Sequence, residues 1–318
     1  MFRDRVVFGI RDHHGDLVGF TGRAAPGDPD APKWLNTPST TIFTKGELLF
    51  GLAENRNRLA AGATPVRVEG VMDALAVTKA SGGRAVGLAP LGTALTAAQA
   101  DSLAQASPQP LVLHATDADR AGLDAAAKDY WLLTARGADV RRLILTDGEQ
   151  TFNDPADAYS TNAVGLSAAL SATAVAPPLA GHLIADLISS NADVLRAGHV
   201  HAVVGVARKL GLIIAAAPLD QRADLITAAA SMLADTTSDD PDRYLELVTT
   251  TTDEAAQSWT QHLPPTLQDR LRATAATVEA ARQPTTPGPE AAAVGARPSR
   301  DRSEDHSSEP DPEHEISP

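Results

Sequence analysis

Two short acidic stretches carry the residues best suited to chemistry, Val68-Glu69-Gly70-Val71-Met72-Asp73 and Asp117-Ala118-Asp119-Arg120-Ala121-Gly122. Each follows a short apolar run and precedes a helix-favouring one, the strand-to-helix junction where α/β sheets build their sites. In an extended chain residues i and i+2 share a side, so Asp117 and Asp119 would present two carboxylates together. Adjacent carboxylates repel, and a divalent cation removes the conflict. Oxygen-only ligands favour Mg²⁺ or Mn²⁺ over zinc. A plainer account stays open for each residue. Asp119 could cap the helix beginning near Arg120 and Asp117 could be a solvated loop residue, while Glu69 could be a first-turn acid at a helix N-terminus. Asp73, one turn after Glu69, either faces the same rim or is an exposed helix position.

The elements that must hold these residues follow from the surrounding pattern. Pro65–Val68, Arg84–Leu88, Pro110–Ala115 and Val140–Leu145 read as strands, and Met72–Ser81, Ala97–Ala106 and Ala121–Arg136 as helices. Such alternation implies parallel pairing with right-handed crossovers, which brings the ends of neighbouring strands to one rim. Ahead of this block, Val6–Ile10 and Leu17–Thr21 read as a hairpin around His13-His14-Gly15-Asp16. Behind it, Leu179–Leu187, His199–Ile214, Leu219–Ala234 and Pro241–Val248 have helical spacing, with further helix expected over Glu254–His262 and Thr266–Arg282. Gln283–Pro318 is rich in Pro, Ser, Asp and Glu, and is expected to be a disordered acidic tail. The fold expected is α/β, a parallel sheet flanked by helices, preceded by a small mixed α+β segment and followed by a helical bundle. Its divisions fall at 1–62, 63–160, 161–282 and 283–318.

Composition narrows the classes. A chain of 318 residues without cysteine has neither a disulfide framework nor a cysteine-ligated zinc site, so no zinc is expected. No run approaches the roughly 18 apolar residues that span a bilayer, and Met1-Phe2-Arg3-Asp4-Arg5 is not a signal sequence. A cytoplasmic location without membrane association is expected. The net charge of −13 argues against nucleic acid. Its distribution does not, because residues 1–60 hold eight Lys/Arg against seven Asp/Glu, while 285–318 hold eight acids against three arginines. There is no phosphate-binding Gly-x-x-x-x-Gly-Lys-Ser/Thr loop.

The two acidic stretches resemble the glutamate and Asp-x-Asp motifs of the Toprim domain, which bacterial primases share with topoisomerases and some nucleases. Leu91-Gly92-Thr93-Ala94-Leu95-Thr96 resembles the short loop between them. Phe2-Arg3-Asp4-Arg5, Gly19-Phe20-Thr21-Gly22-Arg23, Pro32-Lys33-Trp34-Leu35-Asn36-Thr37-Pro38, Phe43-Thr44-Lys45-Gly46 and Leu49-Phe50-Gly51-Leu52 are similar, in order and spacing, to the catalytic core of DnaG-type primases. Topoisomerases and nucleases do not share that block.

The resemblance implies metal-dependent synthesis of RNA primers on single-stranded DNA from ribonucleoside triphosphates, with Mg²⁺ or Mn²⁺. It implies Glu69, Asp117 and Asp119 as catalytic residues and metal ligands, and Asp73, Asp154 and Asp157 as further ligands. The last two come from Asp154-Pro155-Ala156-Asp157, which matches the family's third acidic element with one residue of displacement, and Asp147 is a weaker candidate. Arg3, Arg5, Arg23, Lys33, Asn36 and Lys45 match nucleotide- or template-binding positions, and Trp34 is suited to stacking on a base. The family's cysteine-rich zinc module and the front of its core have no counterpart here. The chain is therefore expected to be a minimal primase-like protein of a mobile element, a subunit completed by a partner, or a truncated gene product, and the replicative helicase or a separate template-binding protein is the partner the resemblance suggests. A Toprim nuclease and a non-catalytic DNA-binding accessory protein are the alternatives.

Overall fold

Alternating side chains in the first forty residues build a small antiparallel sheet, ordered β1-β2-β3, from β1 (Arg5–Arg11), β2 (Leu17–Ala24) and β3 (Trp34–Asn36). The structure is a computed structural model and describes residues 2–25, 32–92, 94–115, 120–146 and 151–262. The β1–β2 turn is closed by Asp12, whose carboxylate accepts the N–H groups of His14 (2.9 Å) and Asp16 (3.0 Å). Gly15 supplies the left-handed conformation there, at φ +94°.

A 3-10 turn at Lys45–Glu47 then leads into β4 (Leu49–Phe50), which is not part of that sheet. It pairs antiparallel with a strand of the next one, Leu49 opposite Pro90 and Phe50 opposite Ala89. After α1 (Arg56–Ala60), the alternation expected from the sequence appears as β5 (Thr64–Val68), α2 (Val71–Ala80), β6 (Ala85–Pro90), α3 (Ala97–Ala106), β7 (Leu111–Ala115), α4 (Arg120–Thr134) and β8 (Asp139–Arg142). The sheet order is β4-β6-β5-β7-β8, parallel throughout except for β4.

Both faces of this sheet are buried, and successive strand residues divide between two cores. Val66, Val68, Ala85, Ala89, Leu113 and Ala115 pack with α2 and with α5 (Pro155–Ser171). Val86, Leu88, Val112 and Val140 pack on the other side with α3, α4 and α6 (Leu179–Ser190). Gly87 permits the closest approach to α2, since a Cβ there would lie 2.4 Å from the Ala74 backbone. The second core continues without interruption into the helical region, formed by α7 (Ala192–Arg196), α8 (Val200–Ala216), α9 (Leu219–Thr237) and α10 (Pro241–His262).

Four helices differ from the sequence expectation, the short α1 and α7, which it lacks, and the longer α5 and α10. α5 was not anticipated as an element, although Asp154 at its N-cap and Pro155 in its first turn are ordinary start signals. α10 runs unbroken from Pro241 to His262, joining the two helices expected over Pro241–Val248 and Glu254–His262 across Thr249–Thr252. Thr251 and Thr252 are buried, and their hydroxyls donate to Ala207 O, Leu247 O and Val248 O, so the polar run is absorbed inside the bundle. Gly211 of α8 lets α10 approach to backbone contact there, a Cβ at that position meeting Thr251 O at 2.5 Å. No helix among the described residues is long and apolar enough to cross a membrane. The expected helix at 266–282 and acidic tail at 283–318 lie outside the described residues.

Candidate functional site

Strands β5 and β7 are parallel neighbours with Val68 opposite Ala115, so the chain leaves both at the same rim. Glu69 is the first residue beyond β5. Gly70 is the extended N-cap of α2, and the Asp73 side chain reaches back to accept its N–H at 3.0 Å. The other Asp73 oxygen accepts the N–H of Ala156, at 3.2 Å, in the first turn of α5. Asp154 caps that helix by accepting the N–H of Asp157 at 2.7 Å. One side chain thus joins the turn carrying Glu69 to the turn carrying Asp154 and Asp157. Both turns are helix N-termini, where exposed N–H groups favour carboxylates. Asp117, Asp119 and Asp147 lie outside the described residues, as does Thr93.

The donor set near Glu69 consists of carboxylate oxygens, the chemistry of a hard divalent cation. Among the described residues no three His, Asp or Glu side chains converge at ligand spacing. The residues present fit such an ion in type.

The basic and aromatic candidates divide by face. In an antiparallel pair, directly opposed residues share a face. Arg23 opposes Val6 and Trp34, and Thr21 opposes Phe8 and Asn36. Arg23, Trp34 and Asn36 therefore share one face with Phe8 and Ile10, and the Arg23 guanidinium stands 5.7 Å from the Trp34 ring centre. That face meets the second sheet through Phe8 on Phe50, ring centres 6.4 Å apart. Arg5 lies on the other face, donating to Gly22 O at 3.2 Å, while Arg3 and Lys33 are exposed near the strand ends. Lys45 sits in the linking turn, where its carbonyl accepts from Gln99 Nε2 at 3.1 Å. Thr96 donates to Gly46 O, so the turn is fastened to the start of α3.

The sequence pattern did not point to a buried ionic cluster directly below the rim. Arg67, one residue before the end of β5, is 1% exposed, and its Nε lies 2.5 Å from Oδ2 of Asp129 on α4. His114 of β7 places Nε2 3.1 Å from the same oxygen. The second oxygen, Oδ1, accepts the N–H of Leu95 at 2.8 Å. Burial lowers the His114 pKa, against the opposing pull of Asp129, and the ring is held neutral. Burial also lowers the Arg67 pKa, with Asp129 and then Glu69 counteracting it. A signal was present in the sequence. Arg67 interrupts an apolar strand, and Asp129 falls on the buried stripe of α4 with Ala125, Ala126 and Leu133.

Comparison with known proteins agrees with this fold. The family model for the DNA primase catalytic core, N-terminal domain, matches residues 1–56, and a Toprim-like model matches residues 66–158. The DNA primase of Deinococcus radiodurans is 45% identical over 157 residues, covering 49% of this chain and 26% of the relative. The primase of Escherichia coli K12 is 41% identical over 153 residues, 46% of this chain and 25% of the relative. The chain thus spans about a quarter of the length of these curated relatives. A DnaG primase catalytic domain solved bound to single-stranded DNA superposes at TM-score 0.55 with 30% identity, over 76% of this chain and 72% of that one. The E. coli primase catalytic core gives 0.54 and 30%, over 75% and 71%. With two matching segments in the same order on a shared fold, the chain belongs to the DnaG-type DNA primase catalytic-core family.

Proposed function

We propose that this chain is a primase-type nucleotidyltransferase that synthesises short RNA primers on single-stranded DNA from ribonucleoside triphosphates. The observation that carries the proposal is the joined rim. Glu69 leaves β5 beside the end of β7, and Asp73 ties its turn to the one bearing Asp154 and Asp157. Glu69, Asp73, Asp117, Asp119, Asp154 and Asp157 would hold Mg²⁺ or Mn²⁺. The ion would neutralise triphosphate oxygens, which favours attack by a 3′-hydroxyl on the α-phosphorus with cleavage of its bond to the bridging oxygen and release of pyrophosphate.

The protein's own residues supply position and charge. Arg23, Trp34 and Asn36 are half-buried neighbours on the face that meets the second sheet, with Trp34 packed on that core, and what they leave exposed would offer a cation, an aromatic ring and an amide to a single strand. Arg3, Arg5, Lys33 and Lys45 are further cations in the same segment for phosphate. The replicative helicase or a separate template-binding protein as partner, and a bacterial cytoplasmic location, belong to the same proposal. The solved relative bound to single-stranded DNA supports the choice of template.

Incubating the chain with labelled ribonucleotides, Mg²⁺ or Mn²⁺ and single-stranded template, while following both synthesis and template cutting, tests the proposal. Ribonucleotide incorporation is expected. Cutting without incorporation would identify a nuclease, and binding without either would identify an accessory protein.

A further inference from the structure

Three basic residues stand side by side across the sheet, one step below the rim. Arg67, His114 and Arg142 are register partners on β5, β7 and β8, and alternation turns all three toward the α4 and α6 face. His182 of α6 extends the row, with Nδ1 3.4 Å from the Arg142 guanidinium. Asp129 is the acid placed between the first two members, and it is fully buried.

Each group Asp129 holds is close in sequence to a junction that the rim needs. Arg67 lies two residues before Glu69, His114 one residue before the end of β7, and Leu95 in the loop between β6 and α3. One carboxylate therefore fixes two strand ends and a loop with a shared geometry that apolar packing does not impose. Apolar residues would fill the same space at similar or lower cost in free energy, because the face is otherwise lined by Leu88, Val112, Ala126 and Tyr130.

We infer that Asp129 is a positioning residue for the carboxylate rim, acting through Arg67, His114 and the Leu95 N–H to hold Glu69 and the β7 end at the separation that a divalent cation requires. The inference rests on the metal-dependent reading proposed above.

The test is binding of Mn²⁺ alone, followed by electron paramagnetic resonance, with ribonucleotide incorporation as a second readout. The triple variant Arg67→Met, His114→Leu, Asp129→Leu removes the cluster without leaving a buried charge. It is expected to unfold near the temperature of the unsubstituted chain, yet to need about tenfold more Mn²⁺ for half-saturation, the scale of groups that orient metal ligands. A folded triple variant with unchanged Mn²⁺ affinity overturns the inference. Should that variant not fold, His114→Leu and His114→Gln replace it, since glutamine retains a donor toward Asp129. Weakened Mn²⁺ binding in the first with recovery in the second supports positioning, and equal behaviour of the two overturns it. If the unsubstituted chain binds no Mn²⁺, the metal-rim reading itself fails.

Discussion

The two faces of the parallel sheet are built from alternate residues of the same strands, yet they are held by different physics. Toward α2 and α5, Val66, Val68, Leu113 and Ala115 make an apolar layer, and the polar work is done at the edge by the Asp73 and Asp154 caps. Toward α4, Arg67 and His114 interrupt the apolar layer and are answered by Asp129. The first face tolerates changes in shape up to the limit of packing. The second depends on charge balance, so loss of Arg67 or Asp129 leaves a buried ion without its counterion.

That contrast orders the expected effects of substitution. Asp129→Leu should cost most, about 3–5 kcal/mol by chemical denaturation, because it strands the Arg67 guanidinium in the interior. A loss below that of any single apolar truncation on the opposite face would erase the distinction. Leu113→Ala, at a fully buried position on the apolar face, should cost about 2–5 kcal/mol and leave metal dependence unchanged. Asp73→Ala releases the N–H groups of Gly70 and Ala156 and should cost about 1–3 kcal/mol. Unlike Leu113→Ala, it should also weaken Mn²⁺ binding, which separates the edge of that face from its interior.

Acid should discriminate between the faces as well. The folded-state pKa of His114 lies below its unfolded value, so the unfolded chain binds the proton more readily. Stability is therefore expected to fall as pH drops below about 6.5. The charged and titratable groups acting on the ring are Asp129, Arg67, at longer range Glu69, and His182 of α6. His114→Gln should flatten that part of the thermal-unfolding profile, whereas Leu113→Ala should lower it without changing its slope. The smallest effect belongs to Asp101→Ala, which removes a partner of Arg136 at the surface and should change stability by about 0–1 kcal/mol.

What could be read from sequence follows the same division. The strand and helix alternation over 64–142 was legible because apolar runs end at Gly or at acidic residues, and the rim followed from parallel neighbours. The three-residue β3 was too short to show a period. Helix α5 was obscured because Asp154-Pro155-Ala156-Asp157 is at once a motif and a helix start, and because the helix is kinked at Asn162. In α10, the low helix propensity of four threonines gave way to burial and to hydroxyl bonds with backbone carbonyls. The Arg67–Asp129–His114 cluster was least legible. A charged residue between two valines has the pattern of a half-exposed strand, and only the tertiary pairing with α4 shows that both faces are covered.

The most direct test of the central claim is ribonucleotide incorporation on single-stranded DNA by the chain and by its Asp117→Asn variant, with circular dichroism to confirm that both are folded. Metal-dependent incorporation by the unsubstituted chain, lost in a folded variant, is the predicted result. Equal incorporation by the two, or none by the unsubstituted chain in either Mg²⁺ or Mn²⁺, would contradict it.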